Sequence, residues 1–215
     1  MQKMTDGNDG GTKIKICGLR RREDILAVNE AKPDYCGFII EFPSSFRSVT
    51  ADEVRELVKE LDPEIRPVGV FVNAPMELVR TLLDDGTLAL AQLHGQEDES
   101  YIRELKTYTD KLIIKAFSIK TAEDIEKALQ SPADYILLDQ GAGGTGETFD
   151  WSLVPSIKRP WFLAGGLGCD NLETAIKMLH PWAVDLSSSV ETDGHKDPDK
   201  IVKAVQTVRN IKEDF

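Results

Sequence analysis

Eight short runs rich in apolar and β-branched residues recur at intervals of ~20–30 residues, and this repetition constrains the architecture more than any other feature of the chain. They are KIKIC (Lys13–Cys17), CGFII (Cys36–Ile40), VGVFV (Val68–Val72), LALAQLH (Leu88–His94), LIIKAF (Leu112–Phe117), YILLD (Tyr135–Asp139), WFLAG (Trp161–Gly165) and AVDLS (Ala183–Ser187). The segments between them carry apolar residues at helical spacing. In 51–61, Val54, Leu57, Val58 and Leu61 fall on one helical face, and Thr50 with Glu53 forms a capping-box pattern ahead of them. Thr121 with Asp124 marks the start of another helix, and Pro75 stands where a third can begin. Eight strand-plus-helix units predict a (β/α)8 barrel of the α/β class. The rival is a doubly wound open sheet, which typically offers about five or six strands and a glycine-rich first turn. Here that turn is CGLRRRED, with one glycine.

A chain of 215 residues is long enough for one such barrel and short for two domains. Residues 1–12, beginning MQKMTDGNDGG, are polar and glycine-rich, without the apolar centre of a signal peptide; they read as a disordered leader, with residues 13–215 as a single catalytic domain. A net charge of -11 argues against general binding to nucleic acid or anionic membrane, but not against an anionic small molecule that meets local donors. No apolar run approaches a membrane span. The three cysteines, Cys17, Cys36 and Cys169, are odd in number and lack metal-site spacing, which suits a reducing cytoplasm.

A barrel places its chemistry at the C-terminal ends of its strands. Cys17, His94 and Asp139 end the first, fourth and sixth runs, and Asp185 lies near the end of the eighth. Alternation puts Ile14 and Ile16 on the helix side of the first strand, and Lys13, Lys15 and Cys17 on the interior side. It likewise groups Tyr135, Leu137 and Asp139, and Leu90, Gln92 and His94. Each polar residue also has an ordinary role: cysteine as core, strand-end aspartate as a turn or cap, histidine as a partner for loop backbone. Lys15 is different, because a buried ammonium requires a partner, and Asp185 is the candidate. Two loops resemble anion sites: LAGGLGCDN (Leu163–Asn171), where Asp170 or Asn171 can cap the next helix, and DLSSSVETDGHKD (Asp185–Asp197). They follow the seventh and eighth strands, where such barrels commonly bind phosphate.

Taken in order, these motifs resemble the phosphoribosylanthranilate isomerase family. The matching pieces are KICGL (Lys15–Leu19), GFI with SSFRSVT (Gly37–Thr50), VGVFVN (Val68–Asn73), QLHG (Gln92–Gly95), LLD with GGTGETFDW (Leu137–Trp151), AGGL with DN (Ala164–Asn171), and VDLSSSVE with GHKD (Val184–Asp197). The resemblance implies a (β/α)8 barrel that uses no metal or organic cofactor. It implies an aldose–ketose Amadori rearrangement of a phosphorylated anthranilate–ribose substrate; the protein is expected in the cytoplasm, as a monomer or homodimer. It assigns Cys17 as the base that takes the C2 proton and Asp139 as the acid that opens the furanose ring, under a lid containing Gly141, Gly143, Gly144 and Gly146 and anchored by Phe149 and Trp151. Arg47 is expected to hold the anthranilate carboxylate. Gly165, Gly166, Ser187, Ser188 and Ser189 are expected to hold phosphate, and His94 and Asp185 to lie near substrate.

The chain departs from the family pattern in three places. Ser189 stands where a glycine is usual, which implies strain of about 1 kcal/mol if that position has positive φ. Phe46 replaces the more common proline or lysine before the arginine, and Cys169 stands where a proline often follows AGGL. Two other readings remain: an indole-glycerol-phosphate synthase-like barrel, which would lean on a strand lysine such as Lys15 or Lys115, and an inactive barrel kept for binding or assembly.

Overall fold

The apolar runs become eight parallel strands that close on themselves. In the computed structural model, which describes residues 11–140 and 150–211, these are β1 (Lys13–Cys17), β2 (Tyr35–Ile40), β3 (Arg66–Phe71), β4 (Leu90–Leu93), β5 (Leu112–Ser118), β6 (Tyr135–Asp139), β7 (Trp161–Leu163) and β8 (Ala183–Leu186). Each pairs with its neighbours in sequence, and β1 pairs with both β2 and β8, so the ring is closed and the open-sheet alternative is excluded. Parallel neighbours cannot be joined by a hairpin. The chain therefore returns outside the ring through α1 (Arg22–Ala31), α2 (Ala51–Lys59), α3 (Met76–Asp84), α4 (Glu99–Tyr108), α5 (Ala122–Leu129) and α6 (Leu172–Leu179), and ends in α7 (Pro198–Asn210). No helix among the described residues is long and apolar enough to cross a membrane.

The expected eighth helical unit is missing from the described part of the sixth crossover. Among the described residues there is only a 3-10 turn, Trp151–Leu153, followed by a segment that Pro155 and Pro160 make a poor helix. The expected lid residues Gly141, Gly143, Gly144 and Gly146, together with Phe149, lie outside the described residues. Where the sequence marks helix starts, the caps form. The Thr50 side chain accepts from the Glu53 N–H, while the Glu53 carboxylate accepts from the Thr50 N–H at 2.7 Å. The Asp124 carboxylate accepts from the Thr121 N–H at 2.9 Å. Asn171, rather than Asp170, stands at the N-cap of α6.

Strand alternation divides the core into two shells. Ile14, Ile16, Ile113 and Val184 face outward and pack against the helices. Tyr35, Val68, Leu90, Ile114, Tyr135, Leu137, Phe162 and Ala183 fill the ring itself. Aromatic edges close the end of the ring formed by the strand N-termini: Phe162 meets Tyr35 and Tyr135, each at 5.6 Å between ring centroids, and Tyr135 stacks on Trp182. This apolar plug leaves the opposite end for polar groups. Phe162→Ala should remove the plug's central ring and destabilise the protein by about 3–5 kcal/mol in urea unfolding. A loss below about 1 kcal/mol would show that the plug does not organise the barrel.

Candidate active site

Above the aromatic plug lies a buried ion pair. β1 and β8 are adjacent, with Lys15 opposite Asp185, and the Lys15 ammonium donates to Asp185 Oδ2 at 2.7 Å. The Lys15 side chain has no solvent exposure. Burial by itself would lower its pKa, but Asp185 and Cys17 together, through charge and hydrogen bonding, outweigh burial and hold Lys15 above the ordinary lysine range. Burial pushes the Asp185 carboxyl up, against the pull of Lys15. Asp185 Oδ1 is buried and has no hydrogen-bond partner.

Two residues beyond Lys15, Cys17 ends β1 at the mouth and is almost fully buried. Burial raises its thiol pKa, while the charge and hydrogen bond of Lys15, followed by the charge of Lys196, act to lower it. Cys36 lies on the outer face of β2, and burial pushes its thiol far above the usual range. Only Cys17 therefore combines a position at the mouth with two nearby ammonium groups. Cys169 is partly exposed in the loop after β7.

On the far wall, Asp139 ends β6, with His94 Nε2 at 3.6 Å from its Oδ2. Gln92 Nε2 contacts His94 Nδ1 at 2.9 Å; with the amide donating, the neutral ring carries its proton on Nε2, the nitrogen facing Asp139. The field of Asp139 also reaches Asp185. The structure thus gathers Cys17, Lys15, Asp185, His94 and Asp139 at one end of the ring.

The expected anion loops sit side by side. Gly165 (φ +84°) and Gly166 (φ +63°) are left-handed. Asn171 ties their loop from both ends, accepting from Gly168 N at 2.9 Å and donating to the Gly166 carbonyl at 2.9 Å. A Cβ at Gly168 would stand 3.4 Å from Ser189 Cβ, so this loop touches the serine loop after β8. Ser187 donates to the Cys17 carbonyl at 3.1 Å, and Ser188 and Ser189 enter a 3-10 turn, Ser188–Val190. The strain anticipated for Ser189 is absent: it does not have positive φ, so a side chain is tolerated.

Arg47 is placed by a short parallel addition to β2, Ser48–Val49. Its guanidinium forms a two-pronged ion pair with Glu191, Nε to Oε1 and Nη2 to Oε2, both at 2.7 Å. Glu191 also accepts from Lys196 Nζ at 2.7 Å. Burial alone would raise the Glu191 carboxyl, but the Arg47 and Lys196 hydrogen bonds outweigh it and hold its pKa at about 2. Sequence reasoning missed Glu191 and Lys196. The signal was the Asp-Gly pair between them: Asp193 (φ +52°) and Gly194 (φ +73°) form the turn of a two-residue hairpin that sets Glu191 opposite Lys196.

Lys115 is the other strand lysine. It lies between Ile114 and Ala116, both in the inner shell, and instead donates to the Gly95 carbonyl at 2.7 Å and pairs with Glu97 at 3.2 Å. It therefore braces a loop outside the ring and does not offer the interior lysine that a synthase-like chemistry would use. Among the described residues, no group of three His, Cys, Asp or Glu side chains is placed to hold a metal ion.

The family model for N-(5'phosphoribosyl)anthranilate (PRA) isomerase matches residues 14–207. The chain belongs to this family. It is 44% identical over 203 residues to N-(5'-phosphoribosyl)anthranilate isomerase of Endomicrobium trichonymphae, covering 93% of this chain and 99% of that one. Among solved structures, it is similar to phosphoribosyl anthranilate isomerase from Thermotoga maritima, with TM-score 0.84, 36% identity and coverage of 92% and 98%. It is also similar to a phosphoribosyl anthranilate isomerase in complex with reduced 1-(o-carboxyphenylamino)-1-deoxyribulose 5-phosphate, with TM-score 0.81, 35% identity and the same coverages, 92% and 98%. As a member of this isomerase family, the chain is an enzyme.

Two outcomes follow from the site's geometry. A Cβ at Gly165 would lie 2.7 Å from both Asp139 Oδ1 and the Gln140 backbone nitrogen, at a φ that side chains rarely adopt. Gly165→Ala should displace the Asp139 carboxylate and lower kcat/KM at least about 10-fold, while a thermal melt shows a folded protein; wild-type kinetics would mean that this contact is slack. The second outcome concerns acid stability. Because the folded pKa of Glu191 is depressed, its stabilisation is present above the unfolded value near 4.5 and lost as pH falls towards about 2. That shift corresponds to at most about 3 kcal/mol. Glu191→Gln should flatten the stability-versus-pH curve in this window relative to wild type, and curves of equal slope would contradict the assignment.

Proposed function

We propose that this chain catalyses the rearrangement of N-(5'-phosphoribosyl)anthranilate to carboxyphenylamino-deoxyribulose phosphate, an aldose–ketose isomerisation in tryptophan biosynthesis. The observation that carries this reading is the placement of Cys17 and Asp139 on separate walls of one mouth, each with its own partners. The reaction needs two proton transfers at different atoms of the sugar. Asp139 donates to the ring oxygen, the furanose opens, and the nitrogen lone pair forms an iminium. Cys17, as thiolate, then removes the C2 proton, and the resulting enolamine tautomerises to the ketone. A sulfur base requires ionisation against the penalty of burial, and Lys15 supplies the opposing charge.

Substrate binding follows the remaining groups. Arg47 donates to the anthranilate carboxylate, while the Gly165–Gly166 loop and Ser187–Ser189 hold phosphate between them. Asp185, with its free Oδ1, and His94 border the sugar. Proton transfers and cleavage of the ring C–O bond, driven by the nitrogen lone pair, account for the whole rearrangement, so this reading assigns no cofactor, and the free cysteines suit a reducing cytoplasm.

The test follows the loss of substrate fluorescence on adding purified protein to freshly made phosphoribosylanthranilate. Wild type should convert it. Cys17→Ala and Asp139→Asn should each lose about 10²–10⁴-fold in kcat while retaining affinity for a reduced product analogue. Absence of turnover by wild type rejects the function. Near-normal turnover by either variant removes that residue from the mechanism, and a parallel loss of analogue binding reduces it to a structural group.

A further inference from the structure

Arg47 has a charged partner before any substrate arrives. Glu191 engages Nε and Nη2, the side-on edge of the guanidinium, and leaves the end-on edge formed by Nη1 and Nη2. The Phe46 ring lies 4.2 Å from the guanidinium carbon and covers one of its faces. Glu191 is itself fixed: Lys196 donates to its Oε1, and Lys200 donates to its backbone carbonyl at 2.7 Å. The Glu191, Arg47 and Lys196 side chains are mostly withdrawn from solvent, at 8%, 16% and 1% exposure. Two cations against one carboxylate leave a net positive charge at this corner of the mouth.

The same network extends into the rest of the site. Lys196 Nζ donates to the Ser187 carbonyl at 2.9 Å, and the Ser187 hydroxyl donates to the Cys17 carbonyl. Arg47 Cδ and Ser187 Oγ both crowd Gly18, 2.6 Å and 3.3 Å from where its Cβ would be. The arginine, the serine loop and the end of β1 are therefore held at fixed spacing by a single carboxylate–ammonium pair.

We propose that Glu191 is a positioning residue for substrate recognition. By holding the side-on edge of Arg47, it aims the open end-on edge at the substrate's benzoate carboxylate, and Lys196 locks that orientation to the phosphate loop. Glu191 is a permanent partner of the arginine and is not displaced by substrate. A bidentate acceptor gains from a pre-oriented fork, because less side-chain freedom remains to be lost on binding. This rests on the reading of Arg47 as the carboxylate clamp.

The test uses two ligands, the reduced product analogue bearing the ortho-carboxylate and its phenyl counterpart without it, titrated calorimetrically into wild type, Glu191→Gln and Arg47→Ala. Glu191→Gln should weaken the carboxylate analogue about 10-fold and leave the phenyl analogue within about twofold. In kinetics, KM should rise with kcat held. Equal weakening of both analogues would overturn the proposal, since it would mean that Glu191 only ties two loops together. Tighter binding of the carboxylate analogue would overturn it too, by making Glu191 a competitor for the arginine. Glu191→Asp keeps the charge against both cations but is one methylene too short to span them, so it carries the same test if the amide variant does not fold. The Arg47→Ala arm separates the two levels. Loss of discrimination between analogues in Glu191→Gln alone concerns Glu191, whereas an Arg47→Ala protein that binds both analogues like wild type rejects the clamp itself.

Discussion

The site depends on one interaction that would be unfavourable almost anywhere else, the ion pair of Lys15 and Asp185 inside the ring. Desolvating two such charges is expensive, and an apolar pair of similar volume would often be at least as stable. Its role is accordingly better understood through the residues it touches than through stability. Lys15 is anchored by Asp185 on one side and brings positive charge to Cys17 on the other. The aromatic plug of Tyr35, Tyr135 and Phe162 below closes the far end of the ring and forms a mostly apolar floor under the polar layer.

The mouth is then completed by loops that are themselves braced by ion pairs. Lys115 and Glu97 support the turn after β4, where His94 sits opposite Asp139. Arg47, Glu191 and Lys196 join the loops after β2 and β8. The acid and base assigned here thus stand on strand ends, while the groups assigned to binding stand on connected loops. This division suits a reaction in which protons must move at fixed positions while the substrate's two charged ends are gripped separately.

Much of this was legible in the sequence, for identifiable reasons. Period-two alternation placed Ile14 and Ile16 outside and Lys15 inside, because a closed ring forces every strand to have one interior face. The need of a buried ammonium for a partner pointed to Asp185, its neighbour in register across the closing strands. The Thr50–Glu53 cap was local and formed as read. What escaped was non-local or depended on backbone conformation. Glu191 reaches Arg47 only because a hairpin turn and a two-residue strand addition bring separate loops together. Whether Ser189 is strained depends on its φ, and residue type alone does not fix φ. Lys115 could be assigned to the outer face only once the interior positions of Ile114 and Ala116 were known.

The central claim is that the Lys15 ammonium favours the ionised form of Cys17 against the penalty of burial. The most direct measurement is the ultraviolet titration of the Cys17 thiolate, with Cys36→Ala and Cys169→Ser removing the other thiols, in the presence of Lys15 and in a Lys15→Met variant. Since Lys15 acts to lower the thiol pKa, its removal should move the titration to higher pH, and the rising limb of the kcat profile should move with it. An unchanged thiol titration in a folded Lys15→Met protein would contradict the account.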